Sequence, residues 1–197
     1  SKDKRIVFKN ILEGSFSEQF KSPLNWIEKT MLSNECYSTS DISNGLNINS
    51  TRTYIKCYLN DTGLLFTETV NKGLFNNEEI SLDNNSLFNL NKSMLFENAV
   101  AQMLVANNHP LFFYTHYSNI KHRYDIEIEF LLEEKDNDQV KLIPIKVHPS
   151  QKNSNLSLSR FIEANKPLIK NSYFVYIGNL IQVKDITCIP PYMLMCI

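Results

Sequence analysis

The stretch Tyr124-Asp125-Ile126-Glu127-Ile128-Glu129-Phe130-Leu131-Leu132-Glu133, with Lys141-Leu142-Ile143-Pro144-Ile145-Lys146-Val147-His148 after it, decides the fold class. In the first segment Ile126, Ile128, Phe130 and Leu132 alternate with Asp125, Glu127 and Glu129, the period of a strand with one face turned inward. The second segment is apolar almost throughout, as in a strand covered on both faces. Asp136-Asn137-Asp138 between them is a turn signal. Together they predict a hairpin whose acidic residues share one face.

Upstream of this hairpin, Leu90, Met94, Ala101, Leu104 and Val105 recur at helical spacing and predict a helix over 87–107, stopped by Asn107-Asn108 and Pro110. Leu111 to Tyr114 reads as a short strand. Downstream, Ser154 or Ser157 caps a helix that ends near Lys166-Pro167, Tyr173 to Ile177 is a buried strand, and Gly178-Asn179 is a hairpin turn. Residues 87–197 therefore read as an α/β domain, a mixed sheet flanked by helices.

Residues 1–86 have a different texture, with short apolar stretches broken by Ser and Asn. Ile6 to Leu12 suggests a helix. Ser22-Pro23 reads as a helix start with Ser as N-cap, and the helix carries Leu24, Trp26, Ile27 and Met31. Residues 35–39 and 53–58 read as strands around a polar turn from Ser40 to Ser50. Helix, strand, long turn and strand predict a helical and winged-helix-like segment, with Trp26 in an apolar contact set.

Composition sets the outer bounds. The chain has 197 residues, 43% hydrophobic and 21% charged, with a formal net charge of −1. That fits one domain or a close pair and excludes a disulfide mini-protein, a solvated tail and an overall basic polymer-binding surface. No apolar run approaches the roughly 18 to 20 residues that span a bilayer, so no membrane partner is expected. The four cysteines, Cys36, Cys57, Cys188 and Cys196, include no C-x-x-C pair. They are expected as free, mostly buried thiols in a reducing, cytoplasmic setting. No G-x-x-x-x-G-K-[ST] phosphate loop is present.

The predicted order brings an acid from a helix, Glu97, toward a hairpin carrying Glu129 on its first strand and Lys146 and His148 on its second. Hydrolysis of a phosphodiester with Mg²⁺ needs converging oxygen ligands, and a nearby Lys orients water and offsets phosphate charge. Residues at i and i+2 of a strand share a face. This is the layout of the PD-(D/E)xK, restriction-endonuclease-like nucleases.

Four stretches carry a closer resemblance. Lys56-Cys57-Tyr58-Leu59-Asn60-Asp61-Thr62-Gly63-Leu64-Leu65, Leu95-Phe96-Glu97-Asn98-Ala99-Val100-Ala101-Gln102, Glu127-Ile128-Glu129-Phe130-Leu131-Leu132 and Ile143-Pro144-Ile145-Lys146-Val147-His148 stand in order along the chain. They resemble the C-terminal region of bacterial and archaeal AAA-superfamily ATPases, a winged helix followed by a nuclease-like domain of unknown function. The ending Ile189-Pro190-Pro191-Tyr192-Met193-Leu194 resembles that family's usual ending, and the likeness spans about residues 20–197. The resemblance implies an ATPase module upstream of Ser1.

The departures from the family pattern concern activity. The family places Asp where this chain has Glu129, Glu where it has Lys146, and Lys where it has His148; Glu97 fits unchanged. Lys146 sets a cation where a metal ligand belongs. At an effective dielectric near 20, a unit charge about 4 Å away repels a dication by roughly 8 kcal/mol. Glu97, Glu129, Lys146 and His148 are thus expected to converge as a relic site neutralised by its own ion pair, with no metal assigned and with Glu97 and Glu129 as the ligands if there is one. Plainer readings stand beside this: Glu97 as a solvated or capping carboxylate, Asp125, Glu127 and Glu129 as an exposed sheet face, and His148 as a structural histidine.

The expected function is a non-catalytic accessory or interaction domain of an AAA-type ATPase, with nucleic acid or a protein as partner and no cofactor. The alternatives are a live Mg²⁺-dependent nuclease with a rearranged site and a defence or toxin–antitoxin partner domain. The basic residues of the winged-helix segment, Lys21, Lys29, Arg52 and Lys56, are few, so only weak, salt-sensitive DNA binding is expected from it.

Overall fold

A computed structural model describes residues 5–6, 17–39, 41–42, 45–47, 50–71, 86–120, 122–136, 139–150 and 155–197. The expected helix over Ile6–Leu12 lies mostly outside them, and residue 6 itself forms a β-bridge to Ile55. The described helices are α1 (Lys21–Lys29), α2 (Thr62–Asn71), α3 (Ser86–Ala106) and α4 (Asn155–Asn165). The strands are β1 (Ser33–Thr39), β2 (Ser50–Leu59), β3 (Leu111–Ser118), β4 (Arg123–Ile128), β5 (Phe130–Asp136), β6 (Gln139–Val147), β7 (Tyr173–Val175), β8 (Ile181–Val183) and β9 (Ile186–Ile189).

The chain is mixed α/β with two mixed sheets. The first has the order β2-β1-β3-β4 and the second β5-β6-β7-β9-β8. One structural break joins them. The single alternating strand expected over 124–133 is two strands, because the chain bends at Glu129. Before the bend β4 pairs with β3, and after it β5 pairs with β6. Alternation persists through the bend, so the sequence period does not reveal it.

The apolar runs are explained by helices on both faces. One core gathers Val100, Ala101 and Leu104 of α3 with Phe113, Phe130, Leu132, Ile143, Ile145 and Val175. The other gathers Leu158, Phe161 and Ile162 of α4 with Phe112, Leu131, Leu142 and Phe174. Neighbouring residues on β3, β5, β6 and β7 thus point alternately at α3 and at α4. Strands buried on both sides lose the polar face that alternation would need.

Several expectations for the first segment are corrected. The helix begins at Lys21 behind a 3₁₀ turn over 17–20, and no side-chain cap bonds its N-terminus. Trp26 is 63% exposed rather than in an apolar contact set. Helix α1 buries none of its residues. The β1–β2 hairpin does not stand off as a wing: β1 pairs in parallel with β3, so one sheet holds strands from both sides of residue 86. The hairpin tip is not a purely polar turn either. Leu46 is fully buried in the α4-side core, and its N–H donates to Glu133 Oε2 at 2.7 Å. Gly45 beside it has φ 96°, a conformation open to glycine.

At the C-terminal end, Gly178-Asn179 does not close a hairpin onto β7. β7 runs parallel to β9, and the antiparallel partner of β9 is β8. A Cβ on Gly178 would clash with the Tyr176 ring, whose hydroxyl donates to the Asn179 carbonyl. The turn therefore serves to seat Tyr176. Of the four free cysteines, Cys36 and Cys188 are buried while Cys57 and Cys196 are exposed, so the thiols are not mostly buried. No helix among the described residues is long and apolar enough to cross a membrane.

Candidate functional site

Helix α3 carries Glu97 into the interior beside β2. The ammonium of Lys56 lies 3.4 Å from Glu97 Oε1, and both side chains are only 2% exposed. Tyr58, two residues on and so on the same strand face, donates its hydroxyl to the same oxygen at 2.6 Å. The Lys56 ammonium also rests over the Phe113 ring, 5.0 Å from its centroid. The next residue of α3, Asn98, donates to the Leu59 carbonyl and to the Thr62 hydroxyl, each at 2.9 Å. Thr62 in turn donates to Gln102 Oε1 at 3.0 Å. Asp61 Oδ1 accepts the Gly63 and Leu64 N–H groups and so caps α2. The Asp-Thr-Gly-Leu-Leu stretch and the Glu97 helix are one hydrogen-bonded unit.

The bend at Glu129 aims the second carboxylate. Lys146 Nζ lies 2.7 Å from Glu129 Oε1 and donates to the Glu127 carbonyl at 2.9 Å. The Val147 N–H donates to Glu129 Oε2 at 3.0 Å. Both oxygens of Glu129 are thereby engaged, one by an ammonium and one by the backbone of the strand that carries that ammonium.

The two pairs share an electrostatic environment. Burial alone opposes a charge on Lys56, but Glu97, then Glu129 and Glu127, outweigh it and hold the ammonium well above the ordinary lysine range. Burial raises the Tyr58 phenol, and the charge of Glu97 raises it further. Burial likewise pushes the Cys36 thiol far up, with Lys56 opposing. The interior thus holds carboxylates matched by ammonium groups, with a neutral phenol and a neutral thiol beside them.

Of the residues singled out from sequence, Glu129 and Lys146 form an ion pair. Glu97 takes Lys56 and Tyr58 as partners, neither of them anticipated. His148 is engaged locally: its Nδ1 lies 2.7 Å from the Ser150 carbonyl oxygen, 3.1 Å from the Ser150 N–H nitrogen and 3.3 Å from the Ser150 hydroxyl. Lys56 was expected among the basic surface residues and is instead one of the largest fully buried side chains. The available signal was parity: Lys56 and Tyr58 sit at i and i+2 in a strand that faces a carboxylate-bearing helix. Among the described residues no group of three or more His, Cys, Asp or Glu side chains is arranged to hold a metal ion.

No protein-family model, no curated protein and no solved structure matches this chain.

Proposed function

We propose that the chain is a non-catalytic accessory or interaction domain of an AAA-type ATPase, built on a restriction-endonuclease-like fold whose nuclease site has been neutralised from within. The observation that carries this reading is the paired occupation of the two carboxylates. Glu97 faces the ammonium of Lys56, and Glu129 faces the ammonium of Lys146. A divalent cation in the same place would meet two fixed positive charges, at a cost of several kcal/mol for each at short range. The element order supports the fold assignment: an acid-bearing helix α3, Glu129 at the bend that opens β5, Lys146 on the antiparallel β6, then α4 leading to a parallel β7.

In this reading the ion pairs replace the metal as the means of holding buried carboxylates. Such pairs bring little net stability over an apolar core but fix the register of the groups that make them. What remains for function is recognition, of nucleic acid or of a protein, in the cytoplasm and coupled to an ATPase module elsewhere in the protein. The test is a cleavage assay on supercoiled DNA, linear DNA and RNA with Mg²⁺ or Mn²⁺. Intact substrates are expected. Nicking that disappears in Glu129→Ala would replace this reading with a live nuclease of rearranged site.

A further inference from the structure

The first sheet carries a second set of side chains that the neutralised site does not use. Tyr54 on β2, Tyr117 on β3 and Tyr124 on β4 are 46%, 45% and 44% exposed. None belongs to either apolar core. Their rings are nevertheless ordered against one another. Tyr117 and Tyr124 meet edge to face, with centroids 5.2 Å apart and planes at 73°. The Arg5 guanidinium carbon sits 4.2 Å from the Tyr124 ring centroid and 5.4 Å from that of Tyr54. Tyr54, Arg5, Tyr124 and Tyr117 form one continuous ladder at the surface.

A cation and an imidazole flank the ladder on one side. His122 and Arg123 are exposed at the turn that leads into Tyr124. The acid that follows, Asp125, holds His116 at 2.8 Å. Aromatic rings interleaved with cations suit a strand of unpaired nucleotides: every base offers a π-face to a ring, and guanidinium groups meet phosphates. A duplex hides its base faces in its own stack and cannot use the rings in this way.

We propose that this face binds single-stranded nucleic acid, stacking unpaired bases on Tyr117 and Tyr124 while His122 and Arg123 meet the backbone and Arg5, seated against Tyr124 and Tyr54, holds the rings in place. The proposal deepens the recognition role above and rests on that reading only for the class of partner. The carboxylate site plays no part in it, so binding is measured in EDTA, where failure leaves the cleavage result untouched.

The probe is a fluorescein-labelled oligothymidylate, free or annealed to oligoadenylate, titrated with the full chain at low and at physiological salt. The single strand binds more tightly than the duplex, and more weakly as salt rises. Tyr117→Ala and Tyr124→Ala each weaken single-strand binding by about five- to hundredfold, the range for loss of one stacked base. Tyr124→Phe keeps the ring and stays close to wild type. Arg123→Glu weakens binding and flattens the salt dependence. Should Tyr124→Ala fail to fold by near-UV circular dichroism, Tyr117→Ala, Tyr124→Phe and Arg123→Glu decide. Equal or tighter duplex binding, folded alanine variants that bind like wild type, or no binding at low salt overturns the proposal; the last result points to a protein as occupant of the face.

Discussion

The ammonium of Lys56 lies 3.4 Å from Oε1 of Glu97, on a strand and a helix separated by 41 positions in the chain, with water excluded from both. Two opposite charges enclosed in this way are interdependent. Removing one leaves the other buried without a counter-charge, which costs far more than removing both.

The first prediction follows from that asymmetry. Lys56→Met and Glu97→Gln should each lower the free energy of unfolding by about 3 to 5 kcal/mol. The double variant should lose clearly less than the sum, with a coupling of about 1 kcal/mol or more. Urea denaturation of the four proteins measures this. Strict additivity would mean that the two groups do not interact as described.

A second prediction concerns alkaline pH. Cys36, Tyr58 and Lys56 all have folded values raised above their ordinary ones. Above its unfolded value, each group has lost its proton in the unfolded chain while the folded chain retains it, so stability falls as pH rises. Their contribution is complete at neutral pH and is lost progressively above roughly pH 8.5 for the thiol and pH 10 for the phenol and ammonium. Each group adds a slope of about 1.4 kcal/mol per pH unit once its unfolded form titrates. Denaturation midpoints between neutrality and pH 11 should decline with increasing steepness, and Lys56→Met should remove part of the steepest portion. A midpoint that holds level or rises over that interval would contradict the buried cluster.

The third prediction addresses the hairpin tip. Leu46 is fully buried, and its amide is held by Glu133 across 87 positions of sequence. Leu46→Ala should cost about 2 to 5 kcal/mol, as for a core leucine. Glu133→Ala should cost about 1 to 3 kcal/mol by leaving that N–H unsatisfied. Thermal unfolding separates this from a solvated loop tip, where both changes would be nearly silent.

Part of this architecture was legible in the residues and part was not, for identifiable reasons. Helix α3 was placed within a residue of its observed bounds because its apolar spacing is sustained and Asn107-Asn108 ends it. Strand β6 was legible because an apolar run bounded by turn residues has few alternatives. The bend at Glu129 was not, since Ile128 and Phe130 keep the same alternation on either side of it. The change of sheet is decided by which partner strand is within reach, a tertiary matter. Trp26 reads as an inward residue because it belongs to the apolar set of the predicted helix, but exposed large apolar residues are common on folded proteins. Lys56 reads as one of the few basic residues that a winged helix could offer to DNA, and only its partner on a distant helix explains its burial. The pair Glu129–Lys146 could be anticipated because both residues lie on one short hairpin. For the pair Lys56–Glu97 parity marks only the strand face; which acid meets it is set by packing between elements 41 positions apart.

If the site is neutralised as proposed, ammonium groups already stand where a divalent cation would be held. Isothermal titration calorimetry with Mn²⁺ tests it most directly, on wild type and on Lys56→Met combined with Lys146→Glu and His148→Lys. Wild type should give no saturable heat, and the combined variant, folded by circular dichroism, should bind measurably. Stoichiometric Mn²⁺ binding by the wild type, abolished in Glu129→Ala, would contradict it.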